Sequence, residues 1–222
     1  EYNAVMNMEA GTEITIDWEE GGSTVHTAAE VWHLIFDSNQ PWVMSANGTI
    51  FKYDVEGVVA GLLKRWYAER KEMQAKKKSA ETPEDIAYWD KRQLVKKINL
   101  NSLYGAILNP GCRFFDKRIG QSTTLVGRQI AKHMASKVNE IVAGEYDHVG
   151  KSIIYGDTDS VYFSAYNVLK KDIESGNIPW SKDNVISLYD QISDEVNGTF
   201  STFMLNSFHC PKSRGDVIKA GR

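Results

Sequence analysis

Residues 153–163 read Ile-Ile-Tyr-Gly-Asp-Thr-Asp-Ser-Val-Tyr-Phe, and the rest of the chain is interpreted around this stretch. Apolar, β-branched and aromatic residues run up to a polar interruption and then resume, which predicts two short strands joined by a turn. Asp157 and Asp159 stand two positions apart, so strand alternation would point both carboxylates in broadly the same direction. Because the flanking strands are apolar, we expect them to be buried.

The two carboxylates of this turn are the first candidate site. Acids held close together on a rigid hairpin repel one another, and a hard divalent cation relieves that repulsion. Because no Cys or His lies nearby, the oxygen ligands favour Mg²⁺ or Mn²⁺ over Zn²⁺. The alternative is an ordinary turn, since Gly and Asp are common turn formers. The hairpin alone leaves both interpretations open.

Length and composition describe an ordinary globular protein of 222 residues with 42% hydrophobic residues. No stretch approaches the roughly 20 apolar residues of a membrane span, and the N-terminus lacks the basic region of a signal peptide. Cys112 and Cys210 have no C-x-x-C partner, so we expect reduced thiols in an intracellular protein. His26, His33 and His133 lack metal-ligand spacing and are expected at the surface or in the core.

Charge is distributed unevenly along the chain. Residues 1–63 hold ten acids and one base, whereas residues 64–97 hold eleven bases and six acids. A basic segment inside a chain of formal net charge −3 suggests a local anionic partner. A charge run on a helix is more often a solvated face, and for Lys76 to Lys78 that is the favoured interpretation.

Hydrophobic spacing and turn residues predict the remaining elements. We expect strands at 12–16, 49–53, 112–115 and 217–222, and helices at 27–36, 56–78, 84–103, 122–142, 167–175 and 182–203. Thr27 with Glu30, and Thr82 with Pro83, are typical of helix starts. The helices at 56–78 and 84–103 form an α-hairpin that carries most of the excess positive charge.

The second helix of that hairpin ends in a polar motif. Lys97, Asn101 and Tyr104 stand at i, i+4 and i+7, so they share one helix face. A cation, an amide and a phenol presented together, next to Gly105 as the expected helix end, can hold a triphosphate and place a ring against a base.

Two motifs therefore occur in order: K-x-x-x-N-S-L-Y-G at 97–105 and Y-G-D-T-D-S at 155–160. Together they resemble family B DNA polymerases, above all those of large tailed phages. The first resembles motif B of the fingers, and the second resembles motif C of the palm. The resemblance extends over about 47–222 and is weakest in 1–46 and 167–210.

The expected fold is α/β (α+β), with an antiparallel palm sheet, packed helices and a protruding α-helical fingers hairpin. The resemblance assigns 1–55 to a palm-proximal segment following motif A. It assigns 56–108 to the fingers with motif B, and 109–222 to the palm with motif C.

The resemblance also implies roles for the hairpin acids. Asp159 matches the motif C carboxylate that binds both catalytic metals, and Asp157 matches its companion, which lies closer to one metal. Two Mg²⁺ ions, or Mn²⁺, are the implied cofactors. The implied reaction is template-dependent addition of dNTPs to a primer 3′ end by phosphoryl transfer.

A second set of residues matches the nucleotide-binding positions of the family. Lys97 corresponds to the lysine that contacts the incoming phosphates, and Arg70 to the fingers arginine that grips them. Asn101 is similar to the asparagine that lines the pocket, and Tyr104 to the tyrosine that packs against the nascent base pair. One position departs from the pattern, because Gln74 stands where the family has a second basic residue.

Motif A, a D-x-x-S-L-Y-P-S pattern with the other bridging aspartate, is not found in this sequence. We therefore expect a fingers-plus-partial-palm fragment that takes motif A from a partner chain or from further sequence, together with an exonuclease domain and a thumb. Primer-template DNA, dNTPs and a sliding clamp are the other implied partners. The expected location is the cytoplasm of a phage-infected bacterium, without a membrane.

Two alternatives remain open. A non-catalytic DNA-binding or assembly fragment would keep the fold without the chemistry, and the lack of motif A favours it. A reverse transcriptase is a weaker alternative, because its carboxylates are usually adjacent, unlike Asp157-Thr158-Asp159.

Overall fold

The computed structural model describes residues 1–177, 179 and 181–221. Two compact units are present: residues 1–51 together with 122–222 form unit 1, and Lys52–Gln121 form unit 2. The first and last parts of the chain thus share one unit. The described part of the chain contains no helix that is long and apolar enough to cross a membrane.

The elements alternate between short strands and helices along the chain. In order they are α1 (Tyr2–Met6), β1 (Glu13–Asp17), β2 (Ser23–Thr27), α2 (Ala28–Trp32), a π-helix (His33–Asp37), β3 (Trp42–Met44), β4 (Ile50–Lys52), α3 (Val58–Ser79), α4 (Pro83–Leu108), α5 (Lys117–Ala143), β5 (Ile153–Asp157), β6 (Ser160–Phe163), α6 (Tyr166–Glu174), α7 (Lys182–Phe208) and α8 (Lys212–Gly215).

The predicted mixed α/β class is confirmed, with antiparallel pairing of β1 with β2 and of β5 with β6. In the described residues the strands form three separate two-stranded sheets, the third pairing β3 with β4, instead of one larger sheet. Helices therefore provide most of the packing around them.

Unit 1 contains two apolar cores. The first lies among α1, β1, α2 and β3, where Val5, Ile35 and Met44 are almost fully buried. The predicted start of α2 is confirmed as a capping box: Thr27 Oγ1 accepts from the Glu30 N–H, and the Glu30 carboxylate accepts from the Thr27 N–H.

The second core of unit 1 supports the hairpin. Side chains from α5 and α7 are buried against one another, including Val138, Ile192 and Phe200. Ile153 of β5 and Phe163 of β6 pack against this core. The helix predicted at 122–142 is confirmed and begins earlier, at Lys117.

Unit 2 is built on the helical pair α3 and α4, as the hydrophobic spacing predicted. Its helices bury very little: α3 has no buried residue, and in α4 only Ile107 is buried. Thr82 caps α4 by accepting from the Asp85 N–H at 3.1 Å, and Pro83 occupies the first turn. Charged and aromatic contacts join the two helices, as between Lys77 and Asp90 and between Lys96 and the Trp66 ring.

Three expectations about secondary structure are wrong. Gly105 does not end α4, which continues to Leu108. Residues 112–115 form successive turns rather than a strand, because Cys112 N–H donates to Asn109 O and Phe115 N–H donates to Cys112 O. Residues 217–221 form no strand, and Arg222, the last residue of that prediction, lies outside the described residues.

Candidate functional site

The tip of the β5–β6 hairpin carries the two predicted acids. Asp157 ends β5 opposite Ser160, so Thr158 and Asp159 form the connecting turn. Thr158 has a positive φ of 22°, as tight hairpin turns require. Both acids are exposed, and the Thr158 hydroxyl donates to Asp157 Oδ1 at 3.0 Å.

Asp159 therefore lies in the turn and not on a strand, so simple strand alternation does not describe how the two acids are related. The turn still places the carboxylates two residues apart at an exposed end. Such a pair can supply oxygen ligands to a cation from solvent without disturbing a packed core.

A β-bulge decides which way Asp157 faces. Ile153 pairs with Phe163 but Tyr155 pairs with Tyr162, which makes Ile154 an additional residue in β5. The extra residue reverses the alternation beyond it, so Tyr155 and Asp157 share the face opposite to the core-facing Ile153. The sequence contains no signal for this bulge, since Ile154 continues an apolar run.

The expectation that the flanking strands are buried is wrong. Ile154, Tyr155 and Tyr162 have 72%, 56% and 60% of their surface exposed. Tyr155 and Tyr162 instead cover one another across the strands, with ring centroids 5.8 Å apart. Ordinary alternation turns Ile154 and Tyr162 away from the α5–α7 core, because their neighbours Ile153 and Phe163 face it. The bulge adds Tyr155 to the same outer face.

The base of the hairpin is tied to its surroundings by hydrogen bonds. Ser164 N–H donates to Ser152 O at 3.0 Å, which closes the open end of the strands. Tyr189 of α7 donates its hydroxyl to Phe163 O at 2.9 Å and packs its ring 4.8 Å from the Phe163 ring. The tip is exposed, but its base is fixed.

The donor set at the tip fits a hard cation only in part. Carboxylate oxygens suit Mg²⁺ and Mn²⁺. Among the described residues, however, no group of three or more His, Cys, Asp or Glu side chains could hold a metal ion. Asp157 and Asp159 can thus contribute two ligands, and a complete site needs further oxygens.

The predicted nucleotide-binding residues lie in unit 2. Lys97, Asn101 and Tyr104 fall within the uninterrupted helix α4, so their i, i+4, i+7 spacing puts them along one stripe. All three are exposed. In the described part of the chain Lys97 forms no ion pair, whereas its neighbour Lys96 binds Glu69 at 2.5 Å.

Arg70 of α3 contacts Gln93, which lies on the same stripe of α4 as Lys97. Its Nε donates to Gln93 Oε1 at 3.3 Å, and Gln93 stands one helical turn before Lys97. Sequence reasoning missed Gln93, although its position four residues before Lys97 was a usable signal. In unit 2, Lys97, Asn101 and Tyr104 thus lie along one stripe of α4. Arg70 contacts Gln93 at the start of that stripe.

An ion pair between α3 and α4 stabilises this arrangement. Lys77 of α3 donates to Asp90 Oδ1 at 2.7 Å, and Gln93 donates to the same oxygen at 3.1 Å. The Lys77 bond, reinforced by the one from Gln93, holds the pKa of Asp90 below its usual range. Arg70, Gln93, Asp90 and Lys77 form a continuous network from α3 to α4.

This network bears on the departure at Gln74. Lys71 and Lys77 are the lysines near Gln74 that could supply the missing positive charge, and Lys77 is paired with Asp90 at 2.7 Å. Lys71 instead places its ammonium 5.3 Å from the centre of the Tyr67 ring and is exposed. Lys71 is thus the better placed of the two to meet an anion.

Comparisons with known proteins identify the family of the chain. The profile of DNA polymerase family B matches residues 25–207. The chain is 37% identical over 116 residues to the DNA polymerase delta catalytic subunit of Oryza sativa subsp. japonica, covering 51% of this chain and 10% of that protein. It is 37% identical over 84 residues to the DNA-directed DNA polymerase of Escherichia phage RB69, covering 37% of this chain and 9% of that protein.

A solved structure of the family B DNA polymerase from the archaeon Pyrobaculum calidifontis is also similar. Its TM-score is 0.44 at 24% identity, covering 79% of this chain and 21% of that one. The chain spans about a tenth of the length of the two curated relatives. Since the family profile covers most of its residues, the chain belongs to DNA polymerase family B.

Proposed function

We propose that this chain supplies the fingers and the motif C part of the palm to a template-directed DNA polymerase. The observation that carries the proposal is the bulged hairpin, which presents Asp157 and Asp159 at an exposed tip above a fixed base. Family membership gives this geometry its chemical context. The reaction is addition of dNTPs to a primer 3′ end.

Asp157 and Asp159 would hold the divalent ions through their carboxylate oxygens. When bound, two Mg²⁺ or Mn²⁺ ions neutralise the charge that develops on the attacking and leaving oxygens. The rest of the metal ligands come from motif A on a partner chain or on further sequence. This division of ligands agrees with the pair of acids found at the tip.

The α4 stripe receives the nucleotide. Lys97 and Arg70 offset the charge of the triphosphate, Asn101 lines the pocket, and Tyr104 packs against the nascent base pair. A planar guanidinium and an ammonium both suit phosphate oxygens. Fixing Arg70 through Gln93 reduces the conformational freedom lost on binding.

The partners follow from these roles. They are primer-template DNA, dNTPs, a segment carrying motif A, an exonuclease domain and a thumb, and a sliding clamp. We place the protein with the tailed-phage polymerases, in the cytoplasm of an infected bacterium. The similarity to the phage RB69 enzyme supports this placement.

A non-catalytic DNA-binding or assembly fragment is the second candidate. The observation in its favour is that the described residues offer only two carboxylates at the tip and no third ligand. The two candidates differ in what happens when motif A is supplied. Only the polymerase gains primer extension.

The first prediction concerns Asp159. With the motif A segment supplied, Asp159→Ala should lower Mg²⁺-dependent primer extension at least about 10³-fold, since a bridging ligand of both ions is lost. Asp194→Ala is the matched control, because Asp194 is an exposed acid of α7. Extension that survives in Asp159→Ala would refute the catalytic assignment, and no extension in the unmodified protein would favour the non-catalytic fragment.

The second prediction concerns Lys97. Lys97→Ala should weaken dNTP use roughly 10- to 100-fold, the worth of one hydrogen bond to a charged group, and leave DNA binding unchanged. Lys91→Ala is the control, being an exposed lysine of the same helix. Steady-state kinetics and DNA titrations measure the two effects. Equal losses in both would contradict the phosphate role.

A further inference from the structure

Asn139 of α5 is a polar side chain with none of its surface exposed. Its Oδ1 accepts from the Ser152 N–H at 3.2 Å, and its Nδ2 donates to Glu145 O at 2.8 Å. Both partners are backbone groups of the connection between α5 and β5. A buried amide is tolerated when its hydrogen bonds are satisfied, and here each end of the carboxamide holds one point of that connection.

Gly150 of the same connection lies directly on this carboxamide. A Cβ added at Gly150 would come within 1.9 Å of Asn139 Nδ2 and 2.1 Å of its Cγ. Real side chains never approach so closely, so the backbone at Gly150 can reach this position only without a side chain. The connection thus wraps the amide at Glu145, Gly150 and Ser152.

Ser152 links this clamp to the hairpin. Its N–H is held by Asn139, and its C=O accepts from the Ser164 N–H beyond the end of β6. The next residue begins β5, and the bulge at Ile154 follows immediately. Since the bulge sets the face on which Asp157 lies, the backbone position of Ser152 fixes where the bulge begins.

We infer that Asn139 is a positioning residue for the carboxylates of the hairpin tip. It touches neither nucleotide nor metal, and acts by holding Ser152 so that the bulge directs Asp157 away from the α5–α7 core. The inference rests on the proposed function of Asp157 and Asp159. Gly150 is part of the same arrangement, because its lack of a side chain leaves room for the Asn139 carboxamide.

The test uses Asn139→Leu, which keeps the volume and removes both hydrogen bonds, and Gly150→Ala, which displaces the amide. Ile192→Val controls for loss of stability in the same unit, since Ile192 is buried in the core beneath the hairpin. Gly198→Ala is the matched glycine control, with nothing within 4 Å of the added Cβ. All variants are assayed with the motif A segment, below their melting temperatures.

Both test variants should lower kcat for primer extension about 10- to 100-fold, as misplacement of catalytic groups by about 1 Å does. The KM for dNTP should change less than about twofold, because the α4 stripe is untouched, and half-saturation in Mg²⁺ should move to higher concentration. Amide exchange of residues 151–163 should become faster in both variants than in the two controls.

Asn139→Asp provides a readout that general destabilisation would not imitate. A protonated carboxyl group can donate to Glu145 O and accept from Ser152 N–H, which restores both bonds, whereas a carboxylate repels the Glu145 carbonyl. Relative to the unmodified protein at the same pH, hairpin protection should recover as the pH falls from about 8 to about 5.

Unchanged exchange of residues 151–163 in Asn139→Leu and Gly150→Ala would overturn the inference, and so would a kcat no lower than that of Ile192→Val. Absence of recovery in Asn139→Asp at low pH would overturn the hydrogen-bond account. Failure of the proposed function is seen separately, as extension that persists in Asp159→Ala. Amide exchange of residues 151–163 tests the role of Asn139 whether or not the proposed function holds.

Discussion

At the scale of single residues, the surroundings of His133 determine its protonation state. Thr199 donates its only hydroxyl proton to Val196 O at 2.7 Å, so it must accept from His133 Nε2–H at 2.9 Å. His133 Nδ1 is then the acceptor for the Tyr146 hydroxyl at 2.6 Å. The ring also stacks on Phe203, with centroids 4.1 Å apart. A neutral imidazole satisfies every one of these contacts.

Burial lowers the pKa of His133, the nearby Lys137 lowers it further, and Glu140 opposes the shift. A depressed folded-state pKa stabilises the fold above the unfolded pKa of about 6.5, and that stability is lost as the pH falls toward the folded value. The melting temperature of the unmodified protein should therefore fall further between about pH 7.5 and about pH 5 than that of His133→Gln, whose glutamine side chain does not titrate. Parallel losses in the two proteins would contradict the neutral assignment.

The sequence left open whether His133 lies at the surface or in the core, and the structure buries it. Its partners Tyr146 and Thr199 could not be predicted from sequence, because they stand 13 and 66 residues away and no spacing rule links them. The same limit applies to Asn139, whose buried position depends on the course of the chain after α5. Local patterns identify which residues carry chemistry but not which side chains hold them in place.

At the scale of elements, α4 begins at a cap that the sequence indicated. Thr82→Ala should destabilise the first turn of α4 by about 1 kcal/mol, because the Asp85 N–H loses its acceptor. Thr82→Ser retains the hydroxyl and should stay close to the unmodified protein. Amide exchange of residues 83–90 measures both, and equal exchange in Thr82→Ala and Thr82→Ser would show that the cap contributes nothing.

Local signals predicted the helices and the hairpin well, since caps, turn residues and periodicity act over a few residues. The strand expected at 112–115 failed because Asn109 starts a series of turns, and its side chain accepts from Gly111 N–H at 2.9 Å. The strand expected at 217–222 failed for a distant reason: Asn197 of α7 binds both the N–H and the C=O of Ala220. A side-chain amide thus takes the place of a neighbouring strand.

At the scale of the whole molecule, the two units are stabilised by different interactions. Unit 1 has apolar cores, whereas in unit 2 the helices α3 and α4 are joined by Lys77–Asp90 at 2.7 Å and Lys96–Glu69 at 2.5 Å. Lys96 also lies 5.7 Å from the centre of the Trp66 ring. Such partly exposed pairs are screened by salt, while apolar burial is not.

Raising NaCl from about 0.05 M to about 0.5 M, which shortens the screening length from about 14 Å to about 4 Å, should accelerate amide exchange in residues 58–108 and leave 182–208 nearly unchanged. Lys77→Met should reduce this salt response, because one pair is already absent. Phe200→Ala removes apolar contacts instead of an ion pair, so its effect should not depend on salt. It should lower the free energy of unfolding of α7 by roughly 3–5 kcal/mol at either salt concentration. A uniform salt response along the chain would contradict this account.

The roles of Asp157, Asp159 and the α4 residues stay predictions that rest on the spacing of carboxylates and cations in the sequence. The exposed surface around the hairpin tip was harder to predict. The exposure of Tyr155 was not foreseen, since a single extra residue in β5 moves it to the face opposite the core. Polarity alone predicts burial only when the register is known.

The scarcity of buried residues in α3 and α4 also shapes how unit 2 responds to temperature. The heat capacity change of unfolding comes mainly from apolar surface that becomes hydrated. Melting these helices hydrates less apolar surface per residue than melting the cores of unit 1, so their enthalpy and entropy of unfolding vary less with temperature. Their stability curve is correspondingly flatter, and cooling, which weakens apolar cores, affects this helical pair less than unit 1.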